Sequence, residues 1–427
     1  MEQNSLQNPT LKRQLNPMHV WAIAFGCIVG WGSFINPGKK FLPNSGVAGT
    51  AIAMALGALV MIIIAFSYAY MVPKYPKAGG EFTFAKQCFG KTTAYVCGWF
   101  LVAAYLTNVP MNSTAIGLIV DGLDGAADIL KFGFHYQIAG FDVWMGEVLL
   151  ASGILILFGT LNILGVKKAG IVQTVLASLL VLSVATLTIS ALFSSTVKID
   201  NMPPWWGFDK SAAVEAATNG AYHSIDEFSH GGTMGIMSAI LATFAIAPWA
   251  FVGFDTIPQA AEEFKFSYKK VTGIMGFYLA SSRLMYSMSR EGYLPAVFGR
   301  VDKRFGTPKN AMIFCILISL SGPVLGREAL GWFVDMSAIG ASIGYFFTCA
   351  ATLITIRRFK DGGVFLKIMA VVGVIFSLSF AVLQLVPIPG LEAVHFGKES
   401  YIMLVIWIVI GAVFYLFQRK KMQGNTK

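Results

Sequence analysis

Residues 24–38 read AFGCIVGWGSFINPG, and residues 242–264 read ATFAIAPWAFVGFDTIPQAAEEF. Both stretches lie in apolar runs, and both are poor helices in their middles. In the first, Gly26, Gly30 and Gly32 crowd together ahead of Pro37; each glycine costs ~1 kcal/mol relative to alanine inside a helix. In the second, Pro248 removes a backbone donor, Gly253 loosens the chain and Asp255 sits amid apolar residues. Glycines spaced like Gly26 and Gly30 commonly serve close helix packing. That reading suffices for either stretch alone, but not for two breaks that each open a set of spans. Interrupted hydrophobic segments at matching places in two halves point to a binding site built on inverted repeats. A helix broken at membrane depth frees N–H groups at one half-helix start and carbonyls at another half-helix end, and these are costly unless satisfied. A zwitterion satisfies both, its carboxylate at the N–H groups and its ammonium at the carbonyls.

The 427 residues are 56% hydrophobic and 13% charged, about half the charge of a soluble domain. Lipid is the natural solvent for that excess, so the chain reads as an all-α polytopic membrane protein. By the ~20-residue criterion, spans fall at 18–36, 47–72, 94–119, 146–164, 170–193, 236–261, 310–326, 329–356, 366–386 and 401–418. A further run, 271–289, is barely long enough and contains Arg283. The first run has no small-residue cleavage site after it and reads as a span, not a leader. The net charge of +10 lies in short loops between apolar runs, the pattern of topology signals and not of a nucleic-acid-binding face.

With the N-terminus inside, the inside loops hold Lys12 and Arg13; Lys74, Lys77, Lys86 and Lys91; Lys167 and Lys168; and Lys265, Lys269 and Lys270. The outside loops hold acids, among them Asp121, Asp142, Asp200 and Glu215. The alternation fails at 271–289, whose two flanks both want to be inside, and then resumes through Arg357, Arg358, Arg419 and Lys420. The division that follows is a cytoplasmic tail (1–17), a first repeat (18–193), an extracytoplasmic loop (194–235), an incomplete second repeat (236–356), two accessory spans (357–418) and a second cytoplasmic tail (419–427) in a multi-pass cell-membrane protein.

GCIVGWGSF (26–34) resembles the first-span signature of the amino acid–polyamine–organocation superfamily, and WAFVGFDTIPQAAEEF (249–264) resembles its sixth span. YPKAGGEFTFAKQCFG (75–90), SSRLMYSMSREGYLP (281–295) and FGTPKNA (305–311) resemble the loop after its second span, the end of its eighth span and the loop that follows. The matches run in family order over nearly the whole chain. The resemblance implies the leucine-transporter-type fold of five helices, five inverted helices and two more, with the substrate between spans one and six. The implied substrate-binding residues are Ile28, Gly30, Trp31, Gly32, Ser33, Trp249, Ala250, Phe251 and Val252. The N–H groups around Gly30 to Gly32 would hold a carboxylate, the carbonyls of Trp249, Ala250 and Val252 an amine, and aromatic side chains near Trp249 and Phe251 would form a gate. The implied partners are an amino acid or amine, the lipid bilayer, and a proton or sodium ion.

Three departures stand out. The family places a complete seventh span between motifs that here join almost directly, EEFKFSYKK (262–270) running into VTGIMGFYLASSR (271–283). With the failed charge alternation, this reads as one missing span and part of a loop. Trp31 stands where the family usually has a small residue. The lysine that some proton-coupled relatives carry in span five is absent from 171–187. Asp255, the one acid deep in a firm span, is a candidate for proton or cation coupling; a bond to the broken backbone explains it equally well.

Other polar residues read more simply. Arg283 reads as a snorkelling cation, Asn108 and Asn112 as interhelical glue, and Trp205 and Trp206 as interface anchors. His223, Asp226, Glu227 and His230 read as a solvated loop, not a metal site, and the five cysteines as small reduced hydrophobes. No nucleotide loop, cofactor site or nucleophile–base pair appears. Secondary transport of an amino acid is the expectation. Its alternatives are a non-transporting sensor, a polytopic enzyme centred on 223–230, and a shortened permease that no longer transports.

Overall fold

The structure, a computed structural model, describes residues 11, 15–30, 33, 37, 41–121, 128–138, 141–195, 198, 204–221, 223–229, 232–253, 255–256, 258–259, 277–326, 329–388 and 395–424. Its helices are α1 (Pro17–Ile28), α2 (Leu42–Lys74), α3 (Gly80–Phe89), α4 (Lys91–Asp121), α5 (Met145–Ile163), α6 (Val166–Phe193), α7 (Lys210–Thr218), α8 (Gly232–Ala250), α9 (Phe277–Arg290), α10 (Lys309–Ser319), α11 (Ser321–Leu325), α12 (Ala329–Phe359), α13 (Gly363–Leu385) and α14 (Lys398–Gly424). Seven of these, α2, α4, α5, α6, α12, α13 and α14, are long and apolar enough to cross a membrane. They fall on seven of the ten expected spans. The other three are interrupted: α1 stops after 12 residues, α8 stops at Ala250, and 310–326 is divided between α10 and α11. The chain is an all-α polytopic membrane protein.

α4 and α12 form the buried centre, while α6 and α14 are the least buried of the seven spans, with apolar side chains exposed along their length, as lipid-facing helices must have. The close fit of the central pair comes from Gly340 and Gly344 on α12, spaced four apart as in small-xxx-small contacts. A Cβ on Gly340 would lie 2.4 Å from the Phe100 carbonyl oxygen, and one on Gly344 would lie 2.6 Å from Leu101 Cδ2. Asn108 on α4 adds a hydrogen bond of 2.6 Å to Ser337 Oγ on α12. At one end of the bundle, Tyr70 and Lys74 of α2 both donate to Asp361 in the α12–α13 turn, and those bonds hold its carboxyl below the usual range. At the same end, Lys86 of α3 pairs with Glu291 beyond α9.

Three features differ from the sequence reading. The connection between α4 and α5 carries an antiparallel hairpin, β1 (His135–Ile138) and β2 (Phe141–Trp144), in which His135 pairs with Trp144. Residues 204–208 of the 194–235 connection lie on the start of α2. Ala48 N–H donates to Trp205 O at 3.0 Å, and Gly207 (φ +85°) lets the chain lie against Asn44, so Trp205 is a structural contact as well as an exposed ring. Arg283 does not snorkel. It lies in the interior of α9, wholly buried, with Nη1 donating to Ser282 Oγ at 3.0 Å; α9 is enclosed by other helices, so no path leads the side chain to water.

Gly340→Ala is expected to destabilise the protein by about 1–3 kcal/mol, the cost of overpacking a close contact. Gly331→Ala, on the same helix with open space where its Cβ would go, should leave the melting temperature in detergent unchanged.

Candidate functional site

The two breaks face each other. α1 ends at Ile28, where Val29 turns off (φ −93°, ψ 76°) and its N–H still reaches Phe25 O at 2.8 Å. Past the turn, Ser33 N–H returns to Gly30 O at 3.0 Å and Ser33 Oγ donates to Ile28 O at 3.4 Å. α8 ends at Ala250, and the chain turns through Gly253 at φ +132°, a conformation that favours glycine. A Cβ on Gly253 would lie 2.9 Å from Cys27 Cβ and 3.3 Å from Ile28 N. The second break thus packs directly on the first.

A cavity of about 190 Å³ opens beside this contact, lined by Cys27, Ile28, Gly30 and Ser33 from the first break and Ala250 and Val252 from the second. Asn108, Met111 and Asn112 of α4, Thr50 and Met54 of α2, and Phe277 of α9 line its other walls. It is smaller than the ~300 Å³ at which drug-sized pockets begin, which suits a metabolite the size of an amino acid. A neighbouring cavity of about 290 Å³ shares Cys27, Asn108, Asn112 and Phe277, and extends between α5 and α6.

Of the expected site residues, Ile28, Gly30, Ser33, Ala250 and Val252 line the smaller cavity. Phe251, half-buried, packs instead against the central apolar core. Trp31 and Gly32 lie outside the described residues, as does the side chain of Trp249. Asn112 is the residue the sequence reading undervalued. Its Nδ2 bonds within its own helix, to Asn108 O at 2.7 Å, while its Oδ1 lies 3.0 Å from where a Gly30 Cβ would sit. A polar side chain one turn beyond Asn108, opposite the first glycine break, was the signal. Among the described residues no group of three metal-binding side chains forms.

Asp255 lies wholly buried just past the second break. Its Oδ1 accepts the Gly253 N–H at 2.8 Å, and its Oδ2 faces the Tyr105 hydroxyl at 3.1 Å. It therefore does satisfy broken backbone, and it does more. The same hydroxyl lies 3.3 Å from Oε1 of Glu81, itself wholly buried on α3. Sequence reasoning missed Glu81 because it stands in a connecting segment that reads as solvent-exposed. The signal was the pair of glycines before it. Gly79 (φ +103°) and Gly80 (φ +39°) bring the start of α3 against Ser287 of α9 and against Pro258 and Gln259, with Cβ positions at 2.4–2.8 Å. Burial, and then the Asp255 charge, push the Glu81 carboxyl well above the usual range.

The profile of the family described as "Amino acid permease" matches residues 15–272 and again 270–414. The chain belongs to the amino acid permease family. A methylthioribose transporter of Bacillus subtilis (strain 168) is 24% identical, with 97% of this chain and 95% of the relative covered. A branched-chain amino acid permease of the same organism is 23% identical at the same coverage, and a glutamate/serine transporter 22% identical over 78% of this chain and 70% of its own. These relatives are transporters, not enzymes.

The permease profile divides at 270–272, where the sequence reading put the missing span. The methylthioribose transporter alignment runs over 470 positions although 97% of these 427 residues, about 414, are aligned. At least some 56 positions of the relative therefore face no residue here, enough for a span and a loop. The described part of α9 is 14 residues, ~21 Å of helix.

Cys27 lines both cavities while Cys97, Cys315 and Cys349 are buried. In a Cys88→Ser background a small membrane-permeant thiol reagent is expected to modify Cys27 ahead of the other three, as read by peptide mass spectrometry. Gly30→Leu, which fills the cavity, should slow that reaction several-fold.

Proposed function

We propose that this permease is a secondary transporter of an amino acid or related amine, working by alternating access across the cell membrane with both chain ends cytoplasmic. The observation that carries this reading is the direct contact of the two helix breaks beside a small cavity. In the bound state, N–H groups from Gly30 through Gly32 hold the carboxylate, with the Ser33 hydroxyl nearby. Carbonyls of Trp249, Ala250 and Val252 hold the amine, Ile28 contacts the substrate, and Trp249 and Phe251 cover it. Asn112 is added to this set as a wall that presents an amide to the ligand. Coupling is to a proton or to sodium, with Asp255 as the coupling residue.

A second reading rests on the divided family match and on the positions of the relative that face no residue here. The site is present, but without a full span beside the second break the chain binds substrate and does not complete the cycle. Uptake into proteoliposomes decides between them. The panel is set by the relatives: radiolabelled L-leucine, L-valine, L-glutamate, L-serine and methylthioribose. Accumulation or exchange of at least one, lowered more than about tenfold by Gly30→Leu (some 1.4 kcal/mol), supports transport. Saturable binding with neither accumulation nor exchange supports the second reading. Neither binding nor uptake of any amino acid rejects both.

A further inference from the structure

Beyond the substrate cavity, α2, α3, α4 and the chain past the second break converge on two carboxyl groups. Glu81 Oε1 faces Tyr68 OH at 2.8 Å and Tyr105 OH at 3.3 Å, and Gln259 Nε2 donates to its Oε2. Asp255 takes the Gly253 N–H on one oxygen and faces the Tyr105 hydroxyl with the other. Both acids, both tyrosines and Gln259 are buried. Among the described residues, the titratable groups facing the pair are Tyr68 of α2, Tyr105 and Cys97 of α4, Tyr345 of α12 and Cys27 of α1. These are phenols and thiols, whose ordinary pKa values lie at about 8.5 and above. Among the described residues no lysine, arginine or histidine forms an ion pair with either acid.

Hydrogen counting shows what is missing. The Tyr105 hydroxyl carries one hydrogen, yet three acceptors lie within reach of it: Glu81 Oε1, Asp255 Oδ2 and the Asp255 carbonyl. Two ionised carboxylates this close and this dry, with no cation paired to them among the described residues, cost far more than one. A single added proton removes the conflict. Placed on Asp255 Oδ2 it donates to the Tyr105 oxygen, and the Tyr105 hydrogen turns to Glu81. The reverse step moves the proton back: the Glu81 O–H passes its hydrogen to Tyr105 as Tyr105 passes its own to Asp255. Two O–H bonds break, two form, and one unit of charge crosses between α3 and the broken span.

Gln259 supplies an independent sign. Its Oε1 is buried with no hydrogen-bond partner, on the same amide whose Nε2 meets Glu81 and Tyr105. The oxygen and nitrogen of such an amide are interchangeable in placement. Turned over, Oε1 becomes the acceptor for a protonated Glu81. The amide thus serves Glu81 ionised or protonated on Oε2, while a proton on Oε1 faces Tyr105.

We propose that Glu81 and Asp255 form a one-proton binding site bridged by Tyr105, located where α3 docks on the second helix break. As the coupling site of transport it rests on the function proposed above; as a proton site it does not. With the proton present, α3 is held to the broken span by hydrogen bonds alone. Without it, like charges face each other across that seam and favour its opening.

Infrared titration of the purified full-length chain in lipid, over roughly pH 5 to 9, reads the site without any substrate. Wild type should show one carboxylic-acid carbonyl band that is lost as pH rises. In Asp255→Asn or Glu81→Gln the remaining acid no longer faces a negative partner, so the band should be lost about a pH unit or more lower. That corresponds to a tenfold fall in proton affinity. Tyr105→Phe removes one hydroxyl and keeps both acids and the packing, and it should shift the band's frequency and midpoint. Absence of a titrating acid band in wild type overturns the proposal. So does a midpoint left unchanged by the partner's removal, or a Tyr105→Phe protein that titrates like wild type. Where the titration behaves as expected and the proteoliposomes show no uptake, the shared-proton site stands and the transport reading falls.

Discussion

Everything in the site depends on a close approach that only a residue without a side chain allows. Gly253 lies against Cys27 and Ile28, so the end of α1 and the end of α8 meet backbone to backbone. Two helices broken far apart would each leave unpaid N–H and carbonyl groups in an apolar interior, at several kcal/mol apiece. Broken at the same place, they share one cavity, and one ligand or a few waters can satisfy both. The contact also explains why each broken chain turns back on itself immediately, through the Ser33 to Gly30 and Thr256 to Gly253 bonds. Those turns settle backbone groups locally and leave the remainder facing the cavity.

The breaks were legible because their causes are local: glycines, Pro248 and an acid inside apolar runs. The seven uninterrupted spans were legible from length and composition for the same reason. Glu81 was not. The one local sign is the glycine pair just before it, and what buries it comes from elsewhere. Tyr105 lies on the next long helix and Gln259 178 positions away, and the packing of α3 is set by Gly79 and Gly80 against α9 and Pro258. Arg283 escaped notice in the same way. A cation near the end of an apolar run normally reaches water, and only the helices around α9 prevent it. The β1–β2 strands leave no clear mark in the sequence, because HYQIAGFDVW mixes polar and apolar residues in a segment between two spans.

The charge pattern and the divided family match bear on one another. Cations flank 271–289 on both sides, and a single full crossing cannot leave both flanks inside. The first described residue of α9, Phe277, lines both cavities and sets its backbone N–H toward the Cys27 sulfur. Asn108, Asn112, Asn162 and Gln173 line the larger cavity and offer water the polar partners it needs. The two cavities share Cys27, Asn108, Asn112 and Phe277, so a ligand in the smaller one lies beside a polar-lined space between α5 and α6. The smaller one is walled by α1, α2, α4, the second break and Phe277.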